Sequence, residues 1–317
     1  MTSSDLRIAF AGTPDFAAGH LEHLCRQEFN IVGVFSQPDR PSGRGKATRP
    51  TPVKTVAESH GLPVFQPESL DSAAKESLIS LAPDVLVVVA FGMILSEEVL
   101  RIPRLGCINV HASLLPRWRG AAPIEHALLA GDAESGISIM QMEAGLDTGP
   151  VLLEKSTPIT NDDNAESLTG RLLLLGCDGL VEALGQLPDL QERSTAQDNS
   201  KATYASKLSK SDALINWSQP ALTIQRQVQA FYPRSPAWCP FQGDRLRIIR
   251  ARQVSHEGSH PPGTVMGIDK SALRVACGKD ALEVSMLQLP GKKAASVADI
   301  LNGHPGLFQQ GSTLQES

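Results

Sequence analysis

The sequence predicts an α/β domain on a mainly parallel sheet, followed by a small antiparallel β domain. Three observations predict it. Strand-like and helix-like runs alternate through the first 185 residues. The run VLVVVA is apolar at almost every position, as expected of a central strand covered on both faces. Beyond a polar stretch near residue 200 the alternation stops, and short β-patterned segments punctuated by Gly and Pro take over.

Taken in order, strands are predicted over 7–11 (RIAFA), 31–35 (IVGVF), 84–90, 107–111 (CINVH) and 137–142 (ISIMQM). Helices are predicted between them over 16–27, 53–60, 72–81 and 123–129, and a longer one over 166–184 closes the domain. The domain so drawn covers residues 1–188. Residues 189–207 are polar, lack sustained periodicity and read as a linker. Residues 208–317 form the second domain, with one helix near 222–231 and β segments RLRIIRA, LRVACG and LEVSMLQL.

With 41% apolar and 20% charged residues in 317, the chain reads as globular, and two domains of this size can each bury a core. No run of 18 apolar residues marks a membrane helix. The start MTSSDLRIAF leads almost directly into a strand, so a cytoplasmic protein is expected. No exposed apolar helix suggests an interface, and a monomer is expected. The net charge of −5 hides an asymmetry: residues 1–206 hold 16 Lys and Arg against 26 Asp and Glu, whereas 207–317 hold 13 against 8. A polyanionic partner of the second domain is allowed, as is an ordinary basic surface.

Several familiar chemistries are disfavoured. The first βα turn, AGTPDFA, has one glycine where a dinucleotide fingerprint needs three, although a Rossmann-like sheet remains compatible. Around Gly45 and Lys46, a phosphate loop needs Gly at 40 and Ser or Thr at 47; these positions are Arg40 and Ala47. What remains is a glycine-containing loop carrying Arg40, Arg44, Lys46 and Arg49, able to grip phosphates or to sit in solvent. The five cysteines are scattered, with no C-x-x-C pair, and Cys107 reads as a buried thiol. The run HLEH, with His20 and His23, lacks metalloprotease spacing and reads as surface polarity on a helix.

The stretch CINVHASLLPRWRG is the candidate for chemistry. Alternation along the strand puts Asn109 and His111 on one face, at the edge of a parallel sheet where α/β proteins bind ligands. They form either a satisfied buried pair or a functional one. Asp147 sits between Gly145 and Gly149, as a turn former or as a carboxylate brought close to other loops.

The segments INVHASLLPRWRGAAPI and GLDTG resemble the folate-dependent formyltransferases. AGTPDFA, QPDRPSGRGK, IMQMEAGLDTG, YASKLSK and INWS extend the likeness through nearly the whole chain, weakest after about residue 250, toward members that act on methionyl-tRNA. The resemblance implies a Rossmann-like formyltransferase domain and an OB-like β-barrel. It implies formyl transfer from 10-formyltetrahydrofolate, without a metal, to the α-amino group of initiator methionyl-tRNA. By the same resemblance Asn109, His111 and Asp147 are the catalytic residues. Asn109 and a protonated His111 would stabilise the negative oxygen of a tetrahedral intermediate. A nearby Asp147 would favour that protonation and help move a proton.

Ser113, Leu114, Leu115 and Pro116 match the folate-binding loop, and the turn after VVVAFG is expected to help hold the pterin. Arg44, Lys46 and Lys207 match tRNA-binding positions. The alternatives are a formyltransferase acting on a small amine, such as glycinamide ribonucleotide or an amino sugar nucleotide, and a non-catalytic RNA-binding protein. The first has no need of the basic loop and second domain, and the second none of the intact trio.

Overall fold

The computed structural model describes residues 6–42, 47–258, 260–269 and 271–314. It divides into two compact units. The first comprises Met1–Pro123, Glu134–Pro158 and Thr169–Ala205; the second comprises Ile124–Ala133, Ile159–Leu168 and Ser206–Ser317.

In chain order the elements up to residue 205 are β1 (Ile8–Gly12), α1 (Asp15–Arg26), β2 (Ile31–Phe35), β3 (Arg40–Ser42), β4 (Ala47–Arg49), α2 (Pro52–Ser59), β5 (Val64–Phe65), α3 (Ser72–Ser80) and β6 (Val85–Val89). There follow α4 (Glu97–Leu100), β7 (Cys107–His111), β8 (Arg119–Gly120), α5 (Pro123–Ala130), β9 (Glu134–Gln141), β10 (Val151–Pro158), α6 (Ala165–Gly185), α7 (Leu187–Arg193) and β11 (Tyr204–Ala205). Local chemistry sets several helix starts. Thr51 caps α2 through Lys54 N–H at 3.2 Å with Pro52 just inside, and Asp71 caps α3 through Ala74 N–H at 3.1 Å.

Seven strands form the main sheet in the order β10-β9-β7-β6-β1-β2-β5. The five from β7 to β5 run parallel, while β9 and β10 are antiparallel. Sheet order reverses between β1 and β6. Such a switch point opens a crevice at the carboxyl ends of the strands. One face buries Ala9, Ala11, Leu86, Val88 and Cys107 with Leu78 of α3 and Val99 of α4. The opposite face includes Val110, close to Gly176 of α6, where His20 of α1 also packs.

His20 corrects the expectation of surface polarity, since it is fully buried. Ala17, Leu21 and Leu24 recur at helical spacing, and His20 shares their inward stripe. Burial lowers its pKa to about 4, partly opposed by the hydrogen bond between Nδ1 and Phe16 O, with a small further lowering from His23.

The described flanks of the basic segment, β3 and β4, pair antiparallel and set Arg40 opposite Arg49. Arg44 and Lys46 lie outside the described residues. Just before β3, Asp39 accepts from Gln66 and from Lys54, each at 2.7 Å, and these bonds hold its carboxyl below the ordinary range. The polar stretch after residue 188 is likewise structured. It carries most of α7, a 3-10 turn at Asn199–Lys201, and β11 paired with β8.

In the second unit α8 (Ala221–Phe231) packs on an antiparallel sheet of β12 (Trp238–Phe241), β13 (Asp244–Val254), β14 (Val265–Ile268), β15 (Leu273–Ala276), β16 (Ala281–Gln288) and β17 (Ala295–Ser296), and α9 (Val297–Gly303) follows. Strand order is β12-β13-β16-β15-β14, with β17 also on β16. Irregularities at Arg250 curl β13, as bulges do. The result is the curled β domain expected from the sequence, with Trp217, Leu246, Ile248 and Val284 in its core. Lys207 is exposed on this unit.

Candidate active site

The site grows from β7, a strand buried on both faces. Asn109 pairs in register with Val88 and Met140, and His111 with Ser138. Alternation carries both side chains to the face shared with Cys107. Asn109 is 9% exposed, and among the described residues no hydrogen bond engages its amide. The residue is buried as a whole but its amide atoms stay accessible, so they are free to be completed by water or by a ligand group.

His111 is 6% exposed. Its Nε2 lies 2.9 Å from Trp118 O, and because a carbonyl only accepts, Nε2 must carry the proton. The other nitrogen, Nδ1, faces Asp147 Oδ2 at 3.7 Å. That separation is an ion-pair distance, too long for a direct hydrogen bond.

Asp147 reaches this position by a reversal of the chain. Strand β9 leaves the sheet with Gln141 level with Ile108, and the next residues turn back toward His111. Gly145 adopts φ +142°, and a side chain at Gly149 would collide with Gln141 O, so both glycines are required. Asp147 itself has φ +52°, a left-handed conformation unfavourable for a residue with a Cβ. Its carboxylate accepts from Gly120 N–H at 2.8 Å.

The loop after β7 is fixed by its own polar groups. Ser113 Oγ donates to Arg117 O at 2.6 Å, and Arg117 N–H donates to Leu114 O at 3.0 Å. Buried Ser138 Oγ accepts from Leu115 N–H at 3.0 Å and lies 2.8 Å from Ser113 O. Ser113 and Leu115 are buried, whereas Leu114 and Pro116 are partly exposed. Leu114 packs over Gly136, where an added methyl would strike it. Across the switch point Thr13 Oγ1 donates to Phe91 O at 3.0 Å, and Gln37 Nε2 donates to Phe91 O and Gly92 O at 3.1 Å each. The turn after β6 is thereby held at the mouth of the crevice.

Cys107 does not join this chemistry. Burial pushes its thiol up to about 12, and Sγ faces Val99 O and Leu100 O. Among the described residues no group of three or more His, Cys, Asp and Glu side chains could hold a metal ion. None of their helices is long and apolar enough to cross a membrane.

The sequence therefore led to Asn109, His111 and Asp147, and the fold brings His111 and Asp147 together. It did not lead to Trp118 O, the Gly120 N–H or the side chains of Arg119 and Gln197. Arg119 is 2% exposed; it donates to Gln197 Oε1 from Nε at 3.0 Å and from Nη2 at 2.8 Å, and to Asn199 Oδ1 at 2.9 Å. Its buried charge was legible only as an arginine in RWRG. Gln197 sits in a stretch with no periodic signal.

Comparison with known proteins decides the family. A family model described as formyl transferase matches residues 6–184, and one for the formyl transferase C-terminal domain matches 207–305. The chain belongs to the formyl transferase family. A methionyl-tRNA formyltransferase of Pseudomonas paraeruginosa (strain DSM 24068 / PA7) is 51% identical over 98% of this chain and 99% of its own. One of Pseudomonas putida (strain GB-1) is 48% identical over the same shares. Among solved structures, the N-formyltransferase of Helicobacter canadensis in complex with folinic acid and dTDP-3-aminofucose shares the fold at a TM-score of 0.65 and 16% identity. That match covers 88% of this chain and 98% of the other. Formyl transfer is thus the chemistry for which the site must account.

Proposed function

We propose that this formyl transferase moves the formyl group of 10-formyltetrahydrofolate to the α-amino group of methionyl initiator tRNA, in the cytoplasm and as a monomer. The observation that carries the acceptor is the 51% identity to a methionyl-tRNA formyltransferase along almost the full length of both chains, which includes the second unit. Folate as the donor is supported by the folinic acid in the Helicobacter canadensis structure. Exposed large apolar side chains such as Ile79, Ile94, Leu174 and Leu222 lie on separate elements, in keeping with a monomer. The division expected from the sequence is kept: residues 1–188 for chemistry, 189–207 as the connection, and 208–317 facing tRNA.

In this reading the amine lone pair attacks the formyl carbon, and the carbonyl π electrons move onto oxygen. The tetrahedral intermediate collapses by breaking the bond to the folate nitrogen. The amine loses a proton and the folate nitrogen gains one. The uncommitted amide of Asn109 is suited to donate to the developing oxyanion. His111 contributes through Nδ1, since its Nε2–H is engaged by Trp118 O. Asp147, beside that nitrogen, can receive or return a proton in transit.

Ser113, Leu114, Leu115 and Pro116 hold folate mainly through the shape and backbone of their loop, because the Ser113 hydroxyl is already bonded to Arg117 O. Arg44, Lys46 and Lys207 supply charge for tRNA phosphates. The test is formyl transfer from 10-formyltetrahydrofolate to initiator Met-tRNA, elongator Met-tRNA and glycinamide ribonucleotide, measured side by side. Preference for the initiator is expected; preference for glycinamide ribonucleotide would overturn the reading.

A further inference from the structure

Asp147 holds an unfavourable left-handed backbone at the catalytic position, so something outside its own loop must stabilise it. Its side chain is met by Gly120 N–H, and its backbone is met by Gln197. Nε2 of Gln197 donates to Asp147 O at 2.9 Å and to Gly149 O at 2.6 Å, spanning the turn that presents the carboxylate. On the other side, Oε1 accepts both bonds from the Arg119 guanidinium. A guanidinium only donates and carbonyls only accept, so the orientation of the amide is dictated by its partners. All four of its hydrogen-bonding positions are in use.

These contacts close a ring. Gly120 N–H holds the Asp147 carboxylate, Gln197 holds the Asp147 carbonyl, and Arg119, covalently next to Gly120, holds Gln197. The segment carrying Gln197 is itself anchored to the catalytic loop. Arg119 N–H donates to Thr203 O at 2.9 Å, Trp118 N–H to Thr203 Oγ1 at 2.9 Å, and Ala121 N–H to Ala205 O at 2.8 Å. The same strap thus fixes Trp118, whose carbonyl sets the His111 ring, and the turn that carries Asp147.

We propose that Gln197 is a positioning residue for formyl transfer: it holds the Asp147 turn so that the carboxylate stays beside His111 Nδ1. This rests on the formyl-transfer reading, and wild-type turnover in the same series decides that reading by itself. The geometry predicts what each substitution removes. Gln197→Met removes both connections. Gln197→Glu keeps an oxygen for Arg119, but it loses the two donors and turns an oxygen toward two carbonyls.

The experiment measures kcat, KM for initiator Met-tRNA, KM for 10-formyltetrahydrofolate, and Tm for the full chain and both variants. A misplacement of ~1 Å at a reacting group costs up to ~100-fold. We expect kcat to fall about 10- to 100-fold in both variants, while each KM stays within about threefold. Gln197→Glu, which keeps the Arg119 connection, should lose less Tm than Gln197→Met, and this variant serves if the Met form does not fold. Wild-type kcat in Gln197→Glu overturns the proposal. So does a loss of kcat that tracks a lowered Tm and is recovered on cooling, because that is the signature of a merely structural residue.

Discussion

Acidification from pH 7 to pH 4 will weaken the first unit through one buried side chain, His20. In the unfolded chain its imidazole titrates near 6.5, whereas burial between α1 and α6 lowers the folded value to about 4. At ~1.4 kcal/mol for each tenfold change in proton affinity, the gap corresponds to about 3 kcal/mol. The sign follows from which state binds the proton first. Above pH 6.5 both states are neutral and nothing is lost. Between 6.5 and about 4 the unfolded chain is protonated and the folded chain is not, so stability falls. Below about 4 the loss levels off.

Substituting His20→Leu removes the titration while filling a similar volume, and the Phe16 carbonyl remains within its helix. Urea midpoints of the first unit's transition, followed for both proteins at pH 7, 5.5 and 4, isolate the effect because all other titrating groups are shared. The difference between the proteins should shift by about 3 kcal/mol in favour of the variant as the pH falls. Parallel curves would refute the assignment of a buried neutral imidazole.

Two further outcomes concern the second unit and the basic segment. Glu283 is buried, and despite the opposing effect of burial its bonds to Arg252 and Arg274 hold its carboxyl below 4.5. Its contribution is therefore present above that value and lost as pH falls through the lower folded one; Glu283→Gln should lower the second unit's Tm at pH 7 and flatten its acid dependence below 4.5. Neutralising Arg44 and Lys46 together should raise KM for initiator tRNA by about tenfold or more, with a shallower salt dependence, and leave folate binding within about twofold. Equal losses for both substrates, in steady-state kinetics and in folate titration, would contradict that division.

Much of the fold was legible because its signals are local. Cys107–His111 and Ile31–Phe35 occupy the predicted bounds, since a short β-branched run between turn residues leaves little choice. Strand β10 was harder: VLLEKSTP is a half-buried edge strand whose adjacent Glu154 and Lys155 point to opposite faces, Glu154 meeting Ser138 and Lys155 meeting Glu182. The strap from Thr195 to Ala205 was illegible for a different reason. Its order comes from hydrogen bonds to a loop 78 to 85 residues earlier, and polar residues that bond at a distance carry no periodic pattern. In HLEH the polar Glu22 and His23 mask the fact that His20 lies on the apolar stripe of Ala17, Leu21 and Leu24.

The same contrast holds at the site. Asn109 and His111 were paired by strand alternation alone, a period that local sequence states directly. The approach of Asp147 depends on a loop reversal, which Gly145 and Gly149 mark locally, and on the Gly120 N–H, which has no signature near the aspartate.

The oxyanion of formyl transfer is assigned to the Asn109 amide, which has no hydrogen-bond partner among the described residues. Single-turnover formation of formyl-Met-tRNA by Asn109→Ala, with 10-formyltetrahydrofolate and initiator Met-tRNA both saturating, tests that assignment most directly. Loss of one such donor should slow the chemical step by ~10²–10³-fold while both substrates bind as before. A rate within a few-fold of the wild type would contradict the assignment.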